Sequence, residues 1–367
     1  MRNSKYKKYG EEIQRHLQKE DLLVLPEKYD ADPTEEKIWY SHSYPIKAFE
    51  KFLGYYDSDE RIAYNPSISF NTDFSFCLSA CVYLNKTGED MVILDGEENE
   101  AYTRKANFAL AKFKRDYSIS GSFKFYIKRY RKYQKAKGMS ESSAVASAVS
   151  KSLISCTFNG QADRDFPLQS RYARYVSGSG TRAVFNGISM WLSYPGMRKE
   201  DCFAVKIGEI PQDIKYGIFP KNNQSPTDSA HLRAVKSPFY NSWVNEKYKF
   251  IRRNMKRSFN IDDLLQRSTA DMLSLNSVLL SSGLMIQTPE SLRILDRALK
   301  FKEKHDNFYF TADTGPSIMI LSRDASLIKE FREGIDDNFL QGGFNFSQHI
   351  DYMEKFKKEA SMALGFR

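Results

Sequence analysis

Between residues 123 and 154 the spacing of apolar side chains changes from two to between three and four, which a chain of one structural class does not do. Phe123-Lys124-Phe125-Tyr126-Ile127 alternates like a half-buried strand. Ser140 to Ile154 is read as a helix of small residues (Ala144, Val145, Ala146, Ala148, Val149), preceded by Gly138, with Ser140, Ser142 and Ser143 as candidate N-caps. Small side chains let such a helix approach its neighbours closely. The same switching recurs along the chain. Residues 64–84 are strand-like and 97–117 return apolar residues at helical spacing. Residues 182–194 and 202–210 read as strands, and 210–228 as a loop rich in Pro, Asn and Lys. Helices are expected at 239–258, 261–282 and 288–303, strands at 307–311 and 317–321, and helices at 326–332 and 347–364. In the charged opening segment, Glu11 to Leu25 predicts an amphipathic helix before Pro26, Asp30 and Pro33 break the pattern. The expectation is an α+β chain with an N-terminal extension at 1–38, one α/β half at 39–200 and a second at 201–367.

Composition removes several function classes. A hydrophobic fraction of 41% with 26 Phe and 22 Tyr is ample for a core, so the chain is neither disordered nor fibrous. No apolar run approaches the roughly 18 residues that span a bilayer. Met1-Arg2-Asn3-Ser4-Lys5-Tyr6 has no secretory-type apolar segment, so a cytoplasmic protein is expected, with no membrane partner. Four cysteines make no disulfide framework, and Cys77 and Cys81 read as packed core thiols. The five histidines, at 16, 42, 231, 305 and 349, show no paired spacing, so no metal site is expected. Net charge is 55 − 46 = +9. Lys112 to Lys137 holds ten Lys/Arg interleaved with Phe113, Tyr117, Phe123, Phe125, Tyr126, Tyr130 and Tyr133. Such a stretch can neutralise phosphates and stack bases, but the strand alternation puts several of these rings into a core. Nucleic acid is therefore not the expected partner; a solvated basic face, or one for anionic small molecules, is.

Three glycine- and hydroxyl-rich segments lie at junctions between elements, where backbone N–H groups can face an anion. They are Gly138-Met139-Ser140-Glu141-Ser142-Ser143-Ala144, Ser177-Gly178-Ser179-Gly180-Thr181-Arg182 and Thr311-Ala312-Asp313-Thr314-Gly315-Pro316-Ser317. The second adds a permanent cation with planar, two-donor geometry suited to carboxylate or phosphate. The third adds one carboxylate on a tight turn.

Taken in order, these segments resemble the mevalonate diphosphate decarboxylase family, a branch of the GHMP kinase superfamily. Ser170-Arg171-Tyr172-Ala173-Arg174-Tyr175-Val176 through Arg182, then Phe185-Asn186-Gly187, is similar to its "SR-x-AR-x-GSGSACRS-x-x-GG" signature. Residues 311–317 resemble its "TFDAGPN", residues 48–57 its "ALIKYWGKRD", and Asn65-Pro66-Ser67-Ile68-Ser69 the "NSSIS" that follows. The resemblance implies a GHMP-kinase-like two-domain fold, with an N-terminal half like ribosomal protein S5 and a ferredoxin-like C-terminal half. It also implies catalytic roles for Asp313, Lys51 and Arg182, substrate binding by Ser177 and Ser179 and, at their motif positions, by Tyr55, Ser142 and Ser143, and a homodimer.

The departures point further. Tyr55 and Tyr56 stand where the family carries Lys and Arg beside the terminal substrate phosphate, which argues against a 5-diphosphate. In the nucleotide loop, "PTAAGLASSA" in the family, the proline is gone and Glu141 enters the turn. A carboxylate about 4 Å from a phosphate charge costs about 4 kcal/mol at an effective dielectric of about 20. The resemblance therefore implies the archaeal branch of the family that takes mevalonate 3,5-bisphosphate to isopentenyl phosphate, carbon dioxide and phosphate with no ATP requirement, in isoprenoid biosynthesis. The alternative is an ATP-dependent decarboxylase of mevalonate 5-diphosphate or 5-phosphate.

Overall fold

A computed structural model describes residues 2–366 other than 36, 87, 135, 224–226 and 336, so Lys135 of the basic segment lies outside the described residues. Three sheets of four or five strands carry the described fold. The first orders its strands Trp39–Ser43, Ser75–Leu84, Ser122–Arg131, Met91–Leu94, Glu97–Glu98. Its long strand Ser75–Leu84 is buried along almost its whole length because both faces of the sheet are covered. Cys77 and Cys81 face the helices Glu100–Tyr117, Glu141–Thr157 and Phe166–Val176. Phe76, Leu78, Ala80 and Val82 meet Phe356, Ala360 and Leu364 of the closing helix Ile350–Leu364. A period of two sends alternate residues to opposite faces, so one strand serves two cores. All four cysteines are free and buried, and burial pushes the Cys77 thiol up.

The small-residue helix Glu141–Thr157 does come close to its neighbours. Ser41 Oγ donates to the Ala148 carbonyl at 2.6 Å, and a Cβ on Gly180 would lie 2.5 Å from the Ala146 methyl. The basic segment is likewise absorbed into the fold. Phe113, Phe123 and Phe125 are core residues, while Lys112, Lys114 and Lys128 pair with Glu60, Asp90 and Glu359. No helix among the described residues is long and apolar enough to cross a membrane.

The second sheet orders Ala204–Gly208, Ile188–Trp191, Ser67–Asn71, Ile46–Glu50, and the third Phe308–Thr311, Ile318–Ser322, Lys215–Phe219, Leu340–Gln341. Two expectations fail here. Residues 182–194 are not one strand: a helical turn at Gly180–Ala183 precedes the strand Ile188–Trp191. Gly187, at φ 122°, supplies the reversal, and Ser189 Oγ donates back to the Arg182 carbonyl. The expected loop at 210–228 contains the strand Lys215–Phe219, paired in register Gly217 to Ile320. Loop composition hid it, yet Gly217 is needed there because the Phe339 ring lies where a side chain would project.

The opening helix runs Arg2–Lys19, starting nine residues before the expected Glu11. Tyr6, Ile13 and Leu17 bury against the helix Tyr240–Met255, with Tyr6 stacked on Tyr248 at 5.3 Å. Interspersed lysines masked that stripe in the sequence.

Helix Ile261–Ser281 packs against both strand Ile46–Glu50 and strand Phe308–Thr311, and a buried charge cluster joins them. Lys247 donates to Glu50 and Asp271, and all three side chains are fully buried. Arg267 Nε donates to Glu50 Oε2 at 2.6 Å, and Asp271 Oδ2 accepts the Lys51 backbone N–H at 2.9 Å. Burial alone would raise the Asp271 carboxyl, but Lys247, Lys51 and Arg267 outweigh it and hold the carboxyl well below its ordinary range. Lys247→Met leaves two buried carboxylates without their shared cation and is expected to cost about 3–5 kcal/mol in urea unfolding. Asp271 also gives an acid limb to stability. Its folded value lies below the ordinary 3.8, so its contribution is complete above that pH and is lost as pH falls through the lower folded value. Urea midpoints are expected to decline progressively below about pH 4.

Candidate active site

Strand Ile46–Glu50 ends in a bulge between Ala48 and Glu50, which turns the following Lys51 away from the regular ladder. Strand Phe308–Thr311 ends just before the turn that carries Asp313. The two meet at a cavity of about 390 Å³ lined by Lys51, Asp313, Arg182, Ser177, Ser179, Tyr55 and Ser142 among others. Seven of the eight residues singled out from the sequence are thus brought together from segments more than 250 positions apart.

The eighth, Ser143, is placed elsewhere. Its Oγ donates to the Ser140 carbonyl at 2.7 Å and accepts the Ile46 N–H at 3.3 Å, fully buried against the strand and outside the cavity lining. Residue 143 falls on the second turn-facing position of a helix start, where its hydroxyl serves the backbone.

The cations are buried. Lys51 Nζ donates to Thr311 Oγ1 at 2.9 Å and the Ala48 carbonyl at 3.0 Å, and lies 3.6 Å from Asp271 Oδ2. Burial lowers its pKa, against the opposing pull of Asp271 and Asp313. Arg182 lies with its guanidinium 5.6 Å from the Phe52 ring centre, and its Nε and Nη1 have no hydrogen-bond partner among the described residues. Burial pushes it down to about 10, with Asp313 and Tyr55 opposing. A guanidinium stays charged at that value, so Arg182 adds a permanent positive charge to the cavity lining. Gly178 permits the compact floor: a Cβ there would be 2.7 Å from the Tyr55 hydroxyl and 2.9 Å from Phe52.

Lys47 and His231 carry no sequence signal, and Ser140 reads only as a candidate N-cap and loop hydroxyl. Lys47 is buried with Nζ 3.4 Å from Asp313 Oδ2 and 2.8 Å from the Gly138 carbonyl. Ser140 Oγ donates to the same Asp313 oxygen at 3.0 Å. His231 lines the cavity, accepts the Gly54 N–H on Nδ1 at 3.0 Å and stacks on Tyr55 at 5.0 Å. A lone histidine 176 positions from its stacking partner has no pattern to betray it.

The loop that resembles the family's nucleotide loop is tied down onto the Asp313 turn. Lys137 N–H donates to the Lys221 carbonyl at 2.8 Å, Ser317 Oγ donates to the Lys137 carbonyl at 2.6 Å, and Gly138 and Gly315 meet backbone to backbone, so a Cβ on Gly315 would be 2.5 Å from Gly138 N. Glu141 is not an isolated charge. Arg131 grips it through two donors at 2.6 and 2.9 Å, Arg129 lies at 3.4 Å and the Tyr133 hydroxyl donates to it at 2.6 Å. Arg129 and Arg131 are thereby engaged with Glu141.

Comparison with known proteins places this geometry. Residues 43–204 match the family described as the diphosphomevalonate decarboxylase-like N-terminal domain. The chain is 55% identical over 351 residues to the mevalonate 3,5-bisphosphate decarboxylase of Thermoplasma acidophilum, covering 96% of this chain and 87% of that one. It is 52% identical over 361 residues to the Thermoplasma volcanium protein of the same name, covering 98% and 97%. Mevalonate diphosphate decarboxylase from Staphylococcus aureus superposes with a TM-score of 0.71 at 19% identity, covering 84% of this chain and 96% of that one. That likeness is one of fold, and the α+β, GHMP-kinase-like expectation holds.

Arg182→Gln is expected to weaken binding of inorganic phosphate by at least about tenfold, since charged hydrogen bonds are lost from a dehydrated site. Calorimetric titration at pH 7 checks it, and unchanged affinity would remove Arg182 from the anion site.

Proposed function

The chain belongs to the mevalonate diphosphate decarboxylase family and is a carboxy-lyase, and from that premise we propose that it converts mevalonate 3,5-bisphosphate to isopentenyl phosphate, carbon dioxide and phosphate without ATP. The observation that carries this reading is the contrast inside one cavity: Asp313, Lys51 and Arg182 converge on it, while the loop at the place of the family's nucleotide loop is tied to the Asp313 turn and carries Glu141. The backbone contact of Gly138 with Gly315 narrows the turn at the place of the family's nucleotide loop, which supports a reaction without a triphosphate.

The chemistry follows from the charges. In the substrate the 3-phosphate is already installed, so no proton has to leave a tertiary hydroxyl. The bond from carbon 3 to the phosphate oxygen breaks with its electron pair going to phosphate. The pair of the carbon 1–carbon 2 bond then becomes the carbon 2–carbon 3 double bond as carbon dioxide departs. Positive charge grows on carbon 3 in between, and a fixed Asp313 carboxylate lowers that barrier, because preorganised charge in a dry site acts without reorganising water. Lys51 and Arg182 are the groups that neutralise the departing phosphate and orient the substrate carboxylate. Tyr55, stacked on His231, supplies an uncharged wall where a second 5-phosphate would need a cation. The family resemblance extends the reading to a cytoplasmic homodimer.

Phosphate and carbon dioxide release from mevalonate 3,5-bisphosphate is expected at the same rate with and without MgATP, and none from mevalonate 5-diphosphate. Asp313→Asn is expected to lower kcat by about a thousandfold or more, equivalent to about 4 kcal/mol, with an unchanged melting temperature. Turnover only of the 5-diphosphate, and only with ATP, would overturn the assignment.

A further inference from the structure

Mevalonate 3,5-bisphosphate carries two phosphates, and the buried cations meet only one of them. Lys51 and Arg182 are 5% and 2% exposed, on the floor of the cavity. Carbon 5 lies two carbons beyond carbon 3, so with the 3-phosphate at those cations the other phosphate reaches toward solvent. Two half-buried cations, Arg61 and Lys105, line the same cavity there. They come from different elements and meet at one ring. Arg61 ends the turn that joins strands Tyr55–Asp57 and Ile62–Ala63, and its backbone is left-handed, at φ 51°. Asp57 Oδ1 fixes that turn by accepting the Asp59 and Glu60 N–H groups at 3.0 and 2.9 Å. Left-handed backbone is unfavourable for a residue with a Cβ, and here it accompanies a guanidinium laid over the Tyr55 and Phe108 rings at 5.4 and 5.5 Å. Phe108 belongs to helix Glu100–Tyr117, where Lys105, Phe108 and Lys112 follow at helical spacing and share one face. Of these cations Lys112 is already neutralised. Its Nζ lies over Phe108 at 5.3 Å and donates to Glu60 Oε1 at 2.8 Å. Glu60 Oε2 accepts the Tyr175 hydroxyl at 2.6 Å, so the carboxylate next to Arg61 in sequence is turned to other partners. Glu141, the lining carboxylate other than Asp313 among the described residues, is held by Arg129 and Arg131. Among the described residues neither Arg61 nor Lys105 is ion-paired with a carboxylate.

We propose that Arg61 and Lys105 form the subsite for the 5-phosphate, with Arg61 as its specificity-determining residue. A guanidinium lying on aromatic faces keeps its N–H groups in the plane of the fork, where they make a two-donor contact with phosphate oxygens. Tyr55 gives that fork a surface to rest on, so the cation that the family motif carries at position 55 is supplied here from the following turn. Binding of a phosphate that takes no part in bond breaking lowers KM and leaves kcat nearly unchanged. This inference rests on the proposed function, and names the groups that hold the part of the substrate that does not react.

The test uses isopentenyl phosphate, which keeps the 5-phosphate and has lost both the 3-phosphate and the carboxylate, so that its affinity reads this subsite. Calorimetric titration gives its Kd, and steady-state kinetics on mevalonate 3,5-bisphosphate give KM and kcat, for the parent protein, Arg61→Met, Arg61→Lys and Lys105→Met. Methionine keeps an unbranched chain against Tyr55 and Phe108 and removes the charge. Arg61→Met is therefore expected to raise the Kd of isopentenyl phosphate and the KM of the substrate at least about tenfold, with kcat within about threefold. Arg61→Lys restores a charge without the planar fork and is expected to recover part of that loss. Lys105→Met is expected to raise both constants by about threefold or more. Parental Kd and KM in Arg61→Met, or a fall in kcat and melting temperature with Kd unchanged, would mean that Arg61 only packs against its rings, and would overturn the proposal. If Arg61→Met does not fold, Lys105→Met decides, and unchanged constants there overturn it. Absence of turnover in a parent protein that binds isopentenyl phosphate would instead strike the proposed function itself, so the two failures are separable.

Discussion

A lysine with no exposure to water holds this molecule together. Lys247 bridges Glu50 at the end of one sheet's strand to Asp271 in the middle of a helix, and Asp271 in turn accepts the Lys51 backbone N–H. Burying such charges is unfavourable unless every one finds its partners. Here the partners come from strand Ile46–Glu50, helix Tyr240–Met255 and helix Ile261–Ser281, so the cluster forms only when both halves of the chain are assembled. Its orientation is also specific. With Lys247 and Arg267 satisfying Glu50, and Lys247 and Lys51 satisfying Asp271, Lys51 is left at the one position from which its amine can meet Thr311 and the cavity. Structural charge and functional charge are one network.

The cavity beside it is built on the opposite condition. Arg182 lines it with a buried guanidinium whose Nε and Nη1 have no hydrogen-bond partner among the described residues. The aspartate across from it is held by Lys47, the Ser140 hydroxyl and the Ala48 N–H, and the loop above is fastened by backbone contact and by the arginines that hold Glu141. One wall of the site is therefore cationic, and the other carries a carboxylate held by protein donors. That polarity suits a reaction in which an anion leaves as a cation forms.

The basic aromatic stretch illustrates how the same residues read differently once folded. In sequence, Lys112 to Lys137 carries the composition of a nucleic-acid binder. In the fold its phenylalanines enter the cores on one face of the first sheet, and its cations face carboxylates from residues as distant as Glu359. Net charge says nothing about where the counter-charges will be. Alternation at 123–127 was the better guide, because period in a strand reports faces directly.

Local chemistry was legible throughout. Helix and strand patterns were read within a few residues for most of the chain, and Asp313, Lys51, Arg182, Ser177, Ser179, Tyr55 and Ser142 were named from short motifs and do share one cavity. Those motifs are readable because turns, hydroxyls and charges that serve a ligand sit close together in the chain. The failures have a common cause. Ser143 differs from Ser142 only by the 100° step of a helix, which aims one at the cavity and the other at a backbone amide. Lys47 and His231 gain their meaning from Asp313 and Tyr55, far away in sequence. Glu141, read as a lone repulsive charge, is neutralised by Arg129 and Arg131. The sequence by itself determined which groups are present and how each segment curls. Which charge faces which was decided only by tertiary structure, because in a low-dielectric interior a group's ionisation and energy are set by neighbours a few ångströms away that folding alone supplies.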